Sequence, residues 1–227
     1  MKRQHVAQLA WARKMTLLIS MLLAVLLAGC GLQPAPTAAA TEANPVAPSQ
    51  EPAPAPTSPC GLPAIVPPTP PAYTPGYAEL DPSTNLHLTG REDPLDLVAY
   101  RLTVTGKVDT PLSLTYEDLR CLPKRTVHCI LVCPGVFEDE ATWTGASLDD
   151  VLELAGVQGG AVYMRLVSAE GYSAFVSLTA AEGVNNLIAY EWGEEPLPLL
   201  HGFPVRAVFP NLEGSYWVKW LVRIEVE

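Results

Sequence analysis

Short stretches in which apolar and polar residues alternate, many of them β-branched, recur through the C-terminal part of the chain. Such alternation predicts half-buried β-strands. The predicted strands are Tyr100–Thr105, Thr126–Cys133, Val162–Val167, Tyr172–Leu178, Val205–Phe209 and Trp217–Val226. Two further stretches have helical character: Thr115–Leu119, which begins with a capping threonine, and Ser147–Ala155, which ends at Gly156. More strand than helix, in irregular order, predicts an α+β fold that is mostly β with a few short helices.

The N-terminus has a different pattern, in which four basic residues precede the apolar run Met15–Leu27. This run is too short for a comfortable membrane span and has the layout of a signal peptide. It ends in Leu27-Ala28-Gly29-Cys30, which resembles the lipobox of bacterial lipoproteins. The resemblance implies that residues 1–30 are a lipoprotein signal, that Cys30 is lipidated, and that the protein is extracytoplasmic and anchored to the cell membrane by lipid. A plain cleaved signal and an uncleaved anchor helix are the alternatives.

The composition changes after Cys30, and residues 31–76 hold most of the 23 prolines together with Ala, Thr, Ser and Glu. A chain of this composition cannot bury enough apolar surface to offset its ordering entropy, so we predict a disordered tether. Residues 77–227 are long enough for one domain with its own core. The formal net charge of -10 argues against nucleic acid as a partner, because phosphate neutralisation needs clustered lysine and arginine.

The cysteines raise a question of chemistry, since exported thiols are usually oxidised. On the predicted strand Thr126–Cys133, Cys129 and Cys133 share one face about 13 Å apart, which is too far for a disulfide between them. Cys133 ends the strand before Pro134 and Gly135, where a ligand can approach. Burial as a small thiol is the alternative role for Cys133. Cys121 can pair with Cys60 or with Cys129, and the sequence does not choose.

Several motifs in the chain together resemble one family. They are Leu131-Val-Cys-Pro-Gly135, Trp143-Thr-Gly-Ala-Ser-Leu148, His201-Gly-Phe-Pro-Val-Arg206 and Val218-Lys-Trp220. In order and spacing they resemble the sulfite oxidase family of molybdopterin-dependent oxidoreductases, over nearly the whole domain after about Leu97. A match in several parts is more specific than any single short pattern. The resemblance implies a mixed, mostly-β molybdopterin-binding domain of the sulfite oxidase type.

The same resemblance implies roles for individual residues. Cys133 is the expected protein thiolate on molybdenum, and Tyr172 is expected near the oxygen ligands of the metal. His201, Arg206 and Lys219 are expected to hold the pterin and its phosphate, for which a guanidinium fork, an ammonium and a ring N–H are suitable donors. The expected reaction is a two-electron oxygen-atom transfer on a small-molecule substrate. No Cys-x-x-Cys-His haem motif occurs in the sequence, so a separate redox partner is expected.

Two features of the sequence differ from the family pattern. The acidic stretch Glu138–Glu140 follows Cys133 where sulfite oxidases carry basic residues, so sulfite is not the expected substrate. Asn85-Leu-His87 matches the early arginine, asparagine and histidine motif only loosely. In addition, no twin-arginine pair precedes the apolar run. The alternative function is therefore a cofactor-free extracytoplasmic lipoprotein that uses the same fold to bind a ligand or another protein.

Overall fold

The computed structural model describes residues 58–90, 95–183 and 185–227. The predicted signal peptide, Cys30 and the first part of the predicted tether lie outside the described residues. The part of the tether that is described, residues 58–76, contains no helix or strand, and the boundary at residue 76 stays a prediction. Among the described residues, no helix has the length and apolar character that a membrane span needs.

Strands dominate the described residues. They are β1 (Leu80–Asp81), β2 (Leu86–His87), β3 (Leu102–Gly106), β4 (Leu112–Leu114), β5 (Lys124–Cys133), β6 (Phe137–Ser147), β7 (Tyr163–Ser168), β8 (Ser173–Ser177), β9 (Leu187–Trp192), β10 (Glu195–Pro196), β11 (Arg206–Val208) and β12 (Leu221–Val226). The helices are α1 (Tyr116–Cys121), α2 (Leu148–Ala155) and α3 (Leu178–Ala181), with single 3-10 turns at Leu199–His201 and Gly214–Tyr216. This content confirms the predicted α+β class.

The strands form two larger sheets and one small ribbon. One sheet has the order β10-β9-β6-β5, with β11 also paired to β9, and the other has the order β4-β3-β12-β7-β8. All pairs are antiparallel except β3 with β12, and β1 pairs with β2. Buried apolar side chains from both sheets and from α1 and α2 join in a single core cluster. The domain is therefore built around one core.

Local signals placed both predicted helices correctly. Thr115 caps α1 through a capping box, in which its hydroxyl accepts from the Asp118 backbone and the Asp118 carboxylate accepts from the Thr115 backbone. Helix α2 follows Ser147 and ends at Gly156, whose φ of 68° is the left-handed conformation that glycine adopts without strain.

The predicted strands all overlap observed ones, with one notable shift. The predicted strand Trp217–Val226 is wrong in its first part, because β12 begins only at Leu221. Trp220 has a φ of 49°, so the backbone before Leu221 cannot continue as an extended strand. Strands β1, β2, β4, β6, β9 and β10 were not predicted. The longest of them, β6, lies between β5 and β9 at the centre of its sheet.

The sequence did not decide whether Cys121 pairs with Cys60 or with Cys129. In the structure the disulfide is Cys60–Cys121, and Cys129 and Cys133 are free thiols. It closes a sequence separation of 61 residues and joins the end of α1 to the segment before the domain. The Arg120 guanidinium beside it donates to the Pro63 carbonyl at 3.1 Å. The segment around Cys60 is therefore attached to the domain by a covalent bond and by a hydrogen bond.

Candidate functional site

A cavity of about 400 Å³ opens beside the β5–β6 hairpin. Its walls include all of the predicted site residues that the structure describes, namely Cys133, Tyr172, His201, Arg206 and Lys219. They come from the end of β5, the start of β8, a 3-10 turn, β11 and the segment before β12. The fold thus brings together residues that are far apart in the sequence.

The β5–β6 hairpin forms one wall of the cavity. Cys133 pairs with Phe137 and Leu131 with Asp139, and the side chains of directly opposed residues lie on the same face. All four line the cavity. Cys129 shares this face but is not part of the lining, and burial raises the pKa of its thiol to about 11 although the charge of Arg206 opposes the shift. Of the two thiols, only Cys133 meets the cavity.

Arg206 lies at the buried end of the cavity, where only 4% of its surface is exposed. Its guanidinium carbon lies 4.6 Å from the Trp143 ring centre and 5.8 Å from that of Trp217. It donates to the carbonyls of His201 at 3.1 Å and Trp217 at 3.4 Å. The Nε of Arg206 and the Nε1 of Trp143 are buried and have no hydrogen-bond partner within the described part of the chain. Burial lowers the pKa of Arg206 to about 9.

Lys219 is the second buried cation. Its ammonium donates to the carbonyls of Thr89 and Leu200 and lies 4.5 Å from the Trp220 ring centre. Burial lowers the pKa of Lys219 to about 7, the charge of Arg206 adds to this shift, and Glu170 opposes it. In the part of the chain that the structure describes, no carboxylate forms an ion pair with either cation.

His201 completes the buried end. Its Nε2 lies 3.0 Å from Oδ2 of Asp81 and 3.0 Å from the hydroxyl of Thr84. Burial lowers the pKa of His201 to about 4, with a further contribution from Lys219, so the ring is neutral at pH 7. Burial raises the pKa of Asp81, but its hydrogen bonds with Ser83 and His201 outweigh that effect and the pKa is lowered overall. A neutral imidazole therefore donates to an ionised carboxylate.

Gly202 leaves room for the side chains of Arg206 and Lys219 on either side of it. Its φ is +114°, and an added Cβ would lie 3.1 Å from Cβ of Arg206 and 3.2 Å from Cβ of Lys219. A larger residue would be strained by its backbone and crowded by both neighbours.

Tyr172 lies at the exposed rim, with 46% of its surface accessible. Its hydroxyl donates to the Ser215 carbonyl at 2.7 Å, and burial raises its pKa. This hydrogen bond holds the phenol at the rim of the cavity.

Sequence reasoning missed a histidine–carboxylate pair in the cavity wall. Nδ1 of His87 lies 2.7 Å from Oδ1 of Asp139, and the His87 backbone N–H donates to Oδ2 at 2.8 Å. Of the acidic stretch after Cys133, only Asp139 lines the cavity, while Glu138 and Glu140 are exposed on the other face of β6. The sequence argument against sulfite thus rests on one cavity carboxylate, which is already hydrogen-bonded to His87. Alternation along β6 would have shown this orientation had the strand been predicted.

The donor set suits an anionic group at the buried end and a soft metal nearer the rim. The cavity is lined by the buried cations Arg206 and Lys219 and by Trp143, and two of its N–H groups have no partner among the described residues. Such groups favour phosphate or thiolate charge. The Cys133 thiol is a soft ligand. These residues fit a sulfur-bound metal cofactor that carries a phosphate.

Comparisons with known proteins agree with this fit. A family described as "Oxidoreductase molybdopterin binding domain" matches residues 91–227. The chain is 35% identical over 134 residues to the uncharacterized oxidoreductase YuiH of Bacillus subtilis (strain 168), covering 57% of this chain and 66% of that one. It is 34% identical over 192 residues to mitochondrial sulfite oxidase of Mus musculus, covering 70% of this chain and 35% of the relative.

More distant similarities extend the comparison. The chain is 32% identical over 165 residues to nitrate reductase [NADH] of Ulva prolifera, covering 58% of this chain and 19% of the relative. Among solved structures, the sulfane dehydrogenase SoxCD of Paracoccus pantotrophus matches with a TM-score of 0.56 and 25% identity, over 60% of this chain and 40% of that one. The chain thus spans less than two thirds of the length of each of these proteins.

Proposed function

Because the chain belongs to the family of oxidoreductase molybdopterin-binding domains, we propose that it is an enzyme. From the resemblance of its N-terminus to a lipoprotein signal, we also propose that it is membrane-tethered and extracytoplasmic. Its reaction is a two-electron oxygen-atom transfer on a small oxo-compound, with a separate redox partner that exchanges the electrons. Family membership confirms the sulfite-oxidase-type fold and molybdopterin as the cofactor, both expected from the sequence. Tethering, substrate class and partner are part of the proposal.

In this proposal, each side chain of the cavity contributes to binding the cofactor. The Cys133 thiolate would ligate molybdenum, and Arg206 and Lys219 would neutralise the phosphate of the pterin. Neutral His201, whose ring N–H is donated to Asp81, would line the same end of the site. When bound, the cofactor supplies a metal with an open oxygen position for two-electron chemistry. Trp143 and Phe137 exclude water from the wall, and Tyr172 is held at the rim, where a substrate enters.

One observation carries the proposal. Arg206 and Lys219 are both nearly buried, have pKa values lowered by that burial, and form no ion pair within the described residues. Buried charges in proteins are normally paired or hydrogen-bonded to a charged partner. An anionic ligand in the same cavity as a free thiol satisfies both cations, and a phosphate-bearing metal cofactor is such a ligand.

The test is elemental analysis for molybdenum, together with pterin fluorescence after oxidation, on protein purified from its native envelope. We expect about one molybdenum per chain in the wild type, and a Cys133→Ser variant that has lost the metal or is redox-inactive. Cys129→Ser is the matched control, because Cys129 lies on the same strand face but outside the cavity lining. A well-folded wild type with neither molybdenum nor pterin would favour the cofactor-free binding lipoprotein instead.

The membrane anchor is tested separately. If Cys30 is the lipidated residue, the wild type should incorporate a labelled fatty acid and a Cys30→Ala variant should not. Equal labelling of the two proteins would contradict lipidation at this position. This outcome does not depend on whether the cavity contains a cofactor.

A further inference from the structure

The His87–Asp139 pair is built from two distant parts of the chain, since the two residues are 52 positions apart. The Asp139 carboxylate is 5% exposed, and both of its oxygens accept from His87, one from the ring and one from the backbone. The imidazole is 28% exposed and stacks on Phe137, with ring centres 4.5 Å apart and an angle of 11° between the planes. Ring position, ring plane and hydrogen bonding are thus all fixed.

These contacts also determine which ring nitrogen of His87 is left without a partner among the described residues. Because ionised Asp139 is only an acceptor, Nδ1 of a neutral His87 must carry the proton, and Nε2 keeps its lone pair. Nε2 makes no hydrogen bond among the described residues, and both His87 and Asp139 line the cavity. The pair therefore presents an oriented proton acceptor to whatever enters.

The dyad stands next to the expected metal ligand. Asp139 is opposite Leu131, one pair along the hairpin face from the Cys133–Phe137 pair. Diagonal neighbours of this kind have Cα atoms about 7–8 Å apart, so Asp139 holds His87 in the same part of the cavity wall as Cys133. Arg206 and Lys219, in contrast, lie at the buried end.

We propose that His87 is the proton-exchanging residue of the reaction and that Asp139 positions it. This inference rests on the proposed function. In the oxidative direction, a substrate lone pair gains the oxygen atom of a water molecule, and two protons and two electrons are released. The electrons pass to the separate redox partner, Nε2 of His87 accepts one proton, and solvent takes the other. The reductive direction is the reverse, with His87 as the proton donor.

The first test needs no cofactor and uses nitrogen-15 NMR of the histidine rings at neutral pH. The chain has four histidines, so single substitutions are enough to assign the signals. We expect His87 as the Nδ1–H tautomer, with a low-field, slowly exchanging ring proton that is lost in Asp139→Asn. Observation of the Nε2–H tautomer in the wild type would overturn the inference.

The second test uses metal-loaded protein, with a sulfoxide as the oxo-compound and a reduced dye as the electron donor, and compares His87→Gln with Asp139→Asn. We expect kcat to fall about 100-fold or more in His87→Gln with KM little changed, because positioned acid–base groups contribute on this scale. Asp139→Asn should give a smaller loss of kcat, with molybdenum content unchanged in both variants. His128→Gln is the matched control, since His128 makes a similar pair with Glu140 at 2.9 Å on the exposed face of the same hairpin.

The outcomes distinguish this inference from the proposed function. A loaded His87→Gln protein that turns over like the wild type refutes the role of His87 and leaves the oxidoreductase proposal intact. A wild type without molybdenum or pterin refutes the proposed function, and the role of His87 with it. If His87→Gln does not fold, as judged by circular dichroism, Asp139→Asn decides, because it keeps the shape of the side chain and the histidine. An Asp139→Asn protein with the kcat of the wild type would contradict the proposal that Asp139 positions His87.

Discussion

Replacement of Lys219 by methionine should remove a pH dependence of stability that the wild type has. The ammonium is 8% exposed, and its pKa is about 7 in the fold against an ordinary value of 10.5. Below pH 7 the lysine is protonated in both the folded and the unfolded chain, so its effect on stability is constant. Between pH 7 and 10.5 the unfolded chain holds a proton that the folded chain has lost. The free energy of unfolding therefore rises with pH in this window.

The size of the effect follows from the pKa difference. At about 1.36 kcal/mol per pH unit, a group with a folded pKa of about 7 adds roughly 3 kcal/mol between pH 6 and pH 9. Lys219→Met has no proton to lose, so the difference between wild type and variant should change by this amount. Other titrating groups, such as Arg206, are present in both proteins and largely cancel in the difference.

The assay is urea unfolding of the cofactor-free chain at pH 6, 7, 8 and 9, with circular dichroism as the signal. Lys107→Met is the control, because Lys107 is exposed and its ammonium donates to the Gly160 carbonyl at 3.3 Å. Its stability should follow that of the wild type at every pH. If wild type and Lys219→Met gave parallel curves, the ammonium would have to be solvated or paired, and the argument for an anion site at Lys219 would fail.

Two further predictions concern stability and use the same unfolding assay. Cys60→Ser should destabilise the oxidised protein by about 2–5 kcal/mol, because the disulfide restricts the unfolded chain, and unfolding under reducing conditions should abolish the difference from wild type. Gly202→Ala should cost more than Gly183→Ala: both glycines have positive φ, but only at Gly202 does a new Cβ meet Arg206 and Lys219. Equal costs at the two glycines would show that backbone strain alone is responsible.

Much of this site could be predicted because its residues lie in local motifs. Strand β5 was found from its β-branched residues, and Pro134 and Gly135 marked its end, which put Cys133 at the correct place. His201, Arg206 and Lys219 were found from one closing motif. The burial of all three, and the lack of ion pairs to Arg206 and Lys219 among the described residues, were not visible, because both depend on how distant segments of the chain pack together.

The missed features depend on long-range pairing. Strand β6 contains the acidic stretch Glu138–Glu140, whose residue types are uncommon in strands, and it is a strand because β5 and β9 pair with it on both sides. The His87–Asp139 contact spans 52 positions and follows from no local pattern. The Cys60–Cys121 pairing likewise needed the fold, since two pairings were compatible with the sequence.

The electrostatics of the buried end connect stability with cofactor binding. Arg206, Lys219 and His201 all have pKa values lowered first by burial, so each charged form costs the fold free energy. An anion in the cavity favours the charged forms, so its binding should be coupled to proton uptake near pH 7, mainly at Lys219. A ligand that binds only the folded state also stabilises it. The residues that weaken the cofactor-free chain are therefore those that we propose to hold the cofactor, and variants such as Lys219→Met should be less dependent on the cofactor for stability and poorer at retaining it.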